Sequence, residues 1–242
     1  MRLRSALALG GVLGGWAALT ETGLVRHRAI AGPIATARAT YEGVVSGALL
    51  ADLGATAARV TAGVSLGLAA GLLLGLVAGR RTRALEPALD FLRAIPPLLV
   101  FPFLLLAFGY GETARIGVIA WACALVVSLH VAGALAAASP ERLRALRAMG
   151  ASRWQTLRWL HAYEVLPACA TGLRHAVATG IVVAVVTEMV VGVPHGLGAR
   201  AVAAQVAYET PQLWAVVLVT GAVGYATSRA LLALERRVDW RK

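Results

Sequence analysis

Six stretches of this chain, near residues 3–20, 52–79, 91–109, 114–138, 172–192 and 213–234, stay apolar for about the 20 residues a helix needs to cross a bilayer. Nothing else in the sequence narrows the fold as far, because hydrocarbon offers backbone N–H and C=O groups no partner and they must be satisfied internally. With 59% apolar and 14% charged residues, the composition is far from that of a soluble domain. The expected fold is all-α: a polytopic membrane protein of about six transmembrane helices.

A formal net charge of +11 would point to nucleic acid in a soluble protein, but no basic patch here is interleaved with stacking aromatics. Topology accounts for the charge. Arg2, Arg4, Arg80, Arg81, Arg83, the arginines of the 139–168 segment, Arg236, Arg237, Arg241 and Lys242 fall on one side of a six-span path. The other side has mainly Arg26, Arg28, Arg38 and Arg200, so the positive-inside bias puts both termini in the cytoplasm. Residues 1–50 divide into a first transmembrane helix and an external connector, 21–50, which contains Pro33. Arg2, Arg4 and the short apolar stretch after them also fit a cleaved signal peptide, whose loss leaves the later topology unchanged.

Between the fourth and fifth runs lies SPERLRALRAMGASRWQTLRWLHAYEVLP, a basic amphipathic hairpin broken by glycine. Ser139, Pro140 and Glu141 read as N-cap, first helical residue and dipole-favourable acid. Leu143, Leu146 and Met149 recur at helical spacing, Gly150 ends the helix, and Ser152 caps a second one carrying Trp154 and Leu157. Arg142, Arg144, Arg147, Arg153 and Arg158 charge the remaining surface. Physics alone allows two readings, a docking surface for a cytoplasmic partner and an interfacial helix on anionic lipid.

The run from Ala145 through Gly150, Ala151, Ser152, Arg153 and Trp154 to Leu166 and Pro167 resembles the cytoplasmic loop motif of ABC importer permeases. It is most similar to the sulfonate, taurine, nitrate and bicarbonate class. The segment departs from the motif in two places: Arg144 stands where it has Glu, with Leu146 at its second Ala, and Ala162 and Tyr163 replace an earlier Leu-Pro. The resemblance extends to Arg93-Ala94-Ile95-Pro96-Pro97, Phe108-Gly109, Gly172-Leu173-Arg174, Glu188-Met189 and Gly196-Leu197-Gly198, from about residue 45 to the C-terminus. It implies a permease core over residues 51–242 with a coupling loop at 139–168, in which Arg144, Ala145, Gly150, Ala151, Ser152, Arg153 and Trp154 meet an ATPase. It further implies a cytoplasmic ATPase dimer that binds ATP and Mg, an external solute-binding protein, a second permease copy and a bacterial inner-membrane location. No cofactor is expected in this chain.

Gly63, Gly67, Gly71, Gly75 and Gly79 place a glycine ribbon along one flank of the second run, where another helix can approach closely. That ribbon serves simple packing or a sliding surface for alternating access. Pro96, Pro97 and Pro102 remove backbone donors from the third run, which is tolerated at membrane depth only where protein or water satisfies the carbonyls. Ionisable residues inside the runs, Arg59, Arg93, Arg174 and Glu188, cost roughly 2.5–3.5 kcal/mol each and so need a partner, water or a function. Arg93 and Arg174 snorkel or line a path. Glu188 needs a partner on another helix or in water. Together Arg93, Pro96, Pro97, Pro102, Arg174 and Glu188 form the expected translocation path.

Lys242 is the only lysine, so no phosphate-binding loop with its lysine exists in this chain. Cys123 and Cys169 are isolated, the histidines are scattered, with His130 fitting an interhelical bond better than a pore, and no nucleophile pattern stands out. The expected role is a non-catalytic transport subunit. The alternatives are a membrane enzyme or assembly subunit without a transport path, and a channel that needs no partner.

Overall fold

The computed structural model of the protein describes residues 10–11, 14–20, 30–80, 82–137, 140–156 and 162–238. Every regular element among them is helical: α1 (Pro33–Val45), α2 (Ala48–Arg80), α3 (Thr82–Ala94), α4 (Pro97–Phe108), α5 (Glu112–Ala136), α6 (Pro140–Ala148), α7 (Arg153–Thr156), α8 (Ala162–Val191), α9 (Leu197–Val206) and α10 (Thr210–Val238). Among the described residues, four segments are long and apolar enough to cross a membrane: Ala48–Gly79, Glu112–Ala136, Val165–Val191 and Thr210–Arg237. Of the expected first span, residues 14–20 are helical and most of the remainder lies outside the described residues. The expected connector 21–50 is not all loop, since Pro33 opens α1 at the position where its missing N–H costs nothing.

The third apolar run, whose three prolines are expected to kink or break it, is two helices meeting at 85°. Pro96 sits in an extended conformation (φ −56°, ψ 129°) and Pro97 is the first residue of α4. Neither proline has an N–H to return to the preceding turn, and each biases the residue before it away from helix. Pro102 lies within α4 and Pro87 within α3 without ending either. At 12 residues α4 is about 18 Å long, short of the ~30 Å hydrocarbon layer.

The chain forms two compact units, residues 1–56 with 188–223 and residues 57–187 with 224–242. In the second unit the glycine ribbon of α2 meets α5. A Cβ on Gly63, Gly67, Gly71, Gly75 or Gly79 would lie 2.5–2.7 Å from Ile119, Cys123, Ala124, Val131 and Leu135 respectively. Partner numbers rise in step, so α2 and α5 run parallel. Gly172 of α8 faces His130 and Val127 while Gly180 faces Cys123 and Ile119, so α8 runs antiparallel to both. Val118, Ile119, Cys123, Val127, Val131 and Ala176 are fully buried at this three-helix contact.

α5 folds back along α4, with Leu104 against Gly117. Counting back from Leu104 to Pro97, about 10 Å at 1.5 Å per residue, sets the break opposite the middle of α5 near Ala124. Leu89 of α3 packs with Ala78 and Ala132, close to the ends of α2 and α5 that lead into the basic segments. In the first unit the indole N–H of Trp16 donates to the carbonyl of Ala31 at 3.0 Å, and its ring lies 5.5 Å from that of Trp214.

Because a Cβ added at Gly71 would sit 2.5 Å from the backbone oxygen of Ala124, Gly71→Ala forces two helices apart and costs about 1–3 kcal/mol. Gly133 has open space around it, so Gly133→Ala is neutral or slightly stabilising. Thermal unfolding of both variants in detergent should show a lowered midpoint for the first alone; equal midpoints would contradict the close contact.

Candidate functional site

The hairpin forms as its sequence dictates. Ala151 N–H donates to Leu146 O and Gly150 N–H to Arg147 O, both at 3.0 Å, with Gly150 at φ +78°. These are the two bonds of a Schellman motif, whose left-handed residue is cheapest as glycine. Ser152 then accepts the N–H of Gln155 on Oγ at 3.2 Å, and Gln155 Oε1 accepts the N–H of Ser152 at 2.8 Å. This reciprocal capping box starts α7. The turn is thus held at both ends by its own backbone and caps. Ser139, Leu157 and Arg158, which the sequence placed in this motif, lie outside the described residues, as does the side chain of Arg153.

Order in the turn contrasts with exposure around it. Arg144, Ala145, Gly150 and Ser152 are exposed and Ala151 is partly buried. Met149 is 74% exposed and Trp154 70%, so two large apolar side chains flank the turn without cover.

Of the expected path residues, Arg93, Pro96, Pro97, Pro102 and Arg174 belong to the second unit. Arg93 is half exposed and lies 3.3 Å from Asp90, one turn back. Both border a cavity of about 300 Å³ with Leu89, Leu129 and Gly133. Arg174 donates from Nε to Glu235 of α10 at 2.8 Å, and Thr171 Oγ1 donates to the same carboxylate at 2.6 Å. His130 and His175 are joined between Nε2 and Nδ1 at 3.0 Å, and His130 Nδ1 bonds the carbonyl of Val126 at 2.8 Å. His130 Nδ1 must therefore donate, which leaves its Nε2 to accept from His175. At the opposite ends of α2 and α5 in this unit, Arg59 is buried and grips Glu112 with two bonds, of 2.7 and 2.9 Å. Arg115 adds a third bond to that carboxylate at 2.8 Å.

Glu188 belongs to the first unit and is 1% exposed. Thr56 Oγ1 lies 3.0 Å from both of its oxygens and itself accepts the N–H of Leu197 at 2.9 Å. Gly198 N–H donates to Glu188 Oε2 at 2.9 Å. The carboxylate thus sits against the N-terminus of α9, where free amides and the helix dipole favour negative charge. One turn before Thr56, Asp52 accepts Gly196 N–H at 3.0 Å and Arg200 Nε at 2.6 Å. Gly196 has φ +150°, and a Cβ there would lie 2.5 Å from the Glu188 carboxyl carbon. Only glycine fits.

Sequence reasoning asked for a partner to Glu188 and did not find Asp52 or Thr56. Nor did it find Glu112 and Glu235 as the partners of Arg59 and Arg174, or Arg115 as the second cation on Glu112. The available signal was charge and hydroxyl groups at one-turn spacing at the ends of apolar runs, as in Asp52, Thr56 and Arg59. Among the described residues, no group of three or more His, Cys, Asp or Glu side chains is placed to hold a metal.

Residues 67–240 match the family of binding-protein-dependent transport system inner membrane components. The taurine transport system permease protein TauC of Escherichia coli is 29% identical over 154 residues, 64% of this chain and 56% of that protein. The riboflavin transport system permease protein RibX of Chloroflexus aurantiacus is 31% identical over 64% of this chain and 58% of its own length. The chain thus aligns to little more than half the length of these two relatives. A probable ABC transporter permease protein of Brucella abortus is 29% identical over 95% of this chain and 92% of its own. Among solved structures, a chain of the methionine ABC transporter MetNI in an inward-facing conformation shares the fold, with a TM-score of 0.66, 21% identity, and 76% of this chain and 92% of that one covered.

Thr56→Val removes both the donor to Glu188 and the acceptor of Leu197, leaving a buried carboxylate short of one bond, which costs about 1.5–3 kcal/mol. Thr56→Ser keeps the hydroxyl. Thermal unfolding should separate the two variants by several degrees, and the same midpoint for both would show that Thr56 contributes packing alone.

Proposed function

We propose that this chain, which belongs to the family of inner membrane components of binding-protein-dependent transport systems, forms the translocation path of an ATP-driven importer for a small solute, either an organic or inorganic anion such as a sulfonate, nitrate or bicarbonate, or a vitamin precursor. In that reading it works as a pair with a second permease copy, bound to two cytoplasmic ATPases and fed by an external binding protein. The ATPases hold ATP and Mg, and this chain carries no catalytic step. Its setting is the inner membrane of a bacterium with both termini cytoplasmic. The gathering of the ends of α2, α5 and α10 and the start of α8 at one end of the second unit supports that orientation, since the basic segments lead from that end. A cargo bearing a sulfonate group is supported by the likeness to the taurine permease, and a vitamin precursor by the likeness to the riboflavin permease.

The observation that carries the proposal is the hairpin: an ordered turn whose surroundings are exposed on both sides. A rigid element with no cover of its own transmits force when a partner binds it differently in two states, and a transporter needs such an element because equal binding transmits nothing. The path itself is assigned to the broken third run with Arg93, Pro96, Pro97 and Pro102, and to Arg174 and Glu188. A break opposite the middle of α5 leaves backbone groups that lipid does not satisfy, which favours a water-lined position for it.

Gly150→Pro tests the coupling. Proline cannot take φ +78° and has no N–H for Arg147 O, so the turn must change while α5 and α8 remain intact. In vesicles containing the ATPase and the binding protein, uptake should fall by about tenfold or more while ATP hydrolysis continues. Parental uptake with normal insertion would refute the coupling role, and conduction by this chain alone would point to a channel.

A further inference from the structure

Resting on the reading of the hairpin as the ATPase contact, we propose that the surface it fits is acidic: a groove lined with carboxylates that receives Arg144, beside an apolar recess for Trp154 and Met149. Between Pro140 and Thr156 there are four arginines, Arg142, Arg144, Arg147 and Arg153, against the single acid Glu141. Arg144 and Arg147 are exposed and, among the described residues, form no ion pair. A guanidinium presented on a helix is the natural partner of a carboxylate, which it binds with two parallel bonds.

The polarity is the informative part. Arg144 occupies the position at which the motif resembled here carries glutamate, so a groove shaped for that glutamate would repel this chain. An acidic groove makes the pair specific and steers the encounter. Anionic lipid offers the same charge but fits the rest of the surface less well. Over its nine residues α6 has only Leu143 and Leu146 as large apolar side chains, too few to seat a helix in acyl chains. Met149 and Trp154 instead flank a turn locked by the Schellman bonds and the capping box, a shape that a fluid surface does not require.

The experiment uses the full chain purified with its co-expressed ATPase, comparing the parent with Arg144→Ala, Arg144→Glu and Gly150→Pro. The readouts are ATPase retained at low and high salt, and ATP-driven uptake, by the permease reconstituted in bilayers of neutral lipid with and without phosphatidylglycerol. Parental retention should fall as salt rises, and Arg144→Glu should retain the ATPase about tenfold less well at low salt, with Arg144→Ala between them. Suppressors of Arg144→Glu in the ATPase should replace an acid. Equal retention by the parent and Arg144→Glu at every salt concentration overturns the acidic groove. If Gly150→Pro nevertheless uncouples uptake, the hairpin reading survives that result, whereas parental behaviour of both variants overturns both. An effect of Arg144→Glu seen only when phosphatidylglycerol is present would assign Arg144 to lipid and also overturn the proposal.

Discussion

Where Gly63, Gly67, Gly71, Gly75 and Gly79 line α2, the helix lies so close to α5 that a single methyl group would collide with backbone or Cβ atoms. Inside a bilayer, burial of apolar surface does not drive helices together, because lipid is as apolar as leucine; dispersion contact at close approach does. Small residues are what permit that approach. The parallel pair sets the register of everything else in its unit: α8 packs against it through Gly172 and Gly180, and α3 through Leu89. In chain order the hairpin lies between α5 and α8 of this packed set.

Buried and partly buried charges in both units are handled by pairing. Arg59 with Glu112, Arg174 with Glu235, and Glu188 with Thr56 and the amides of α9 each satisfy a charge that is costly near hydrocarbon. Each pairing reaches across the sequence to another helix, so each also fixes which helices are neighbours. Glu188 differs from the two arginines in drawing support from a hydroxyl and a helix N-terminus.

What was legible in the sequence were the features encoded within a few residues. Gly150 as a helix end, Ser152 as a cap and the prolines of the third run as a break are local chemistry, and each appears where the sequence placed it. The return bond from Gln155 is local too, encoded as Ser-x-x-Gln, and emerged only with the fold. The 85° angle at Pro96 was not legible, because prolines say where a helix stops and the packing of α3 against Ala132 says where it turns. The partners of Arg59, Arg174 and Glu188 were hidden for the same reason. A lone acid at the edge of an apolar run looks like an interface residue until the fold brings a cation or an amide to it.

In the proposed function the exposed turn between α6 and α7 is seated on an ATPase. A photoreactive amino acid in place of Trp154, activated in intact membranes, tests this, with Tyr208 between α9 and α10 as a still more exposed control. If the turn is the dock, position 154 forms a covalent adduct between this chain and the ATPase, changed in yield by ATP, and position 208 forms none. Adducts with lipid alone from position 154, or the same ATPase adduct from both positions, would contradict it.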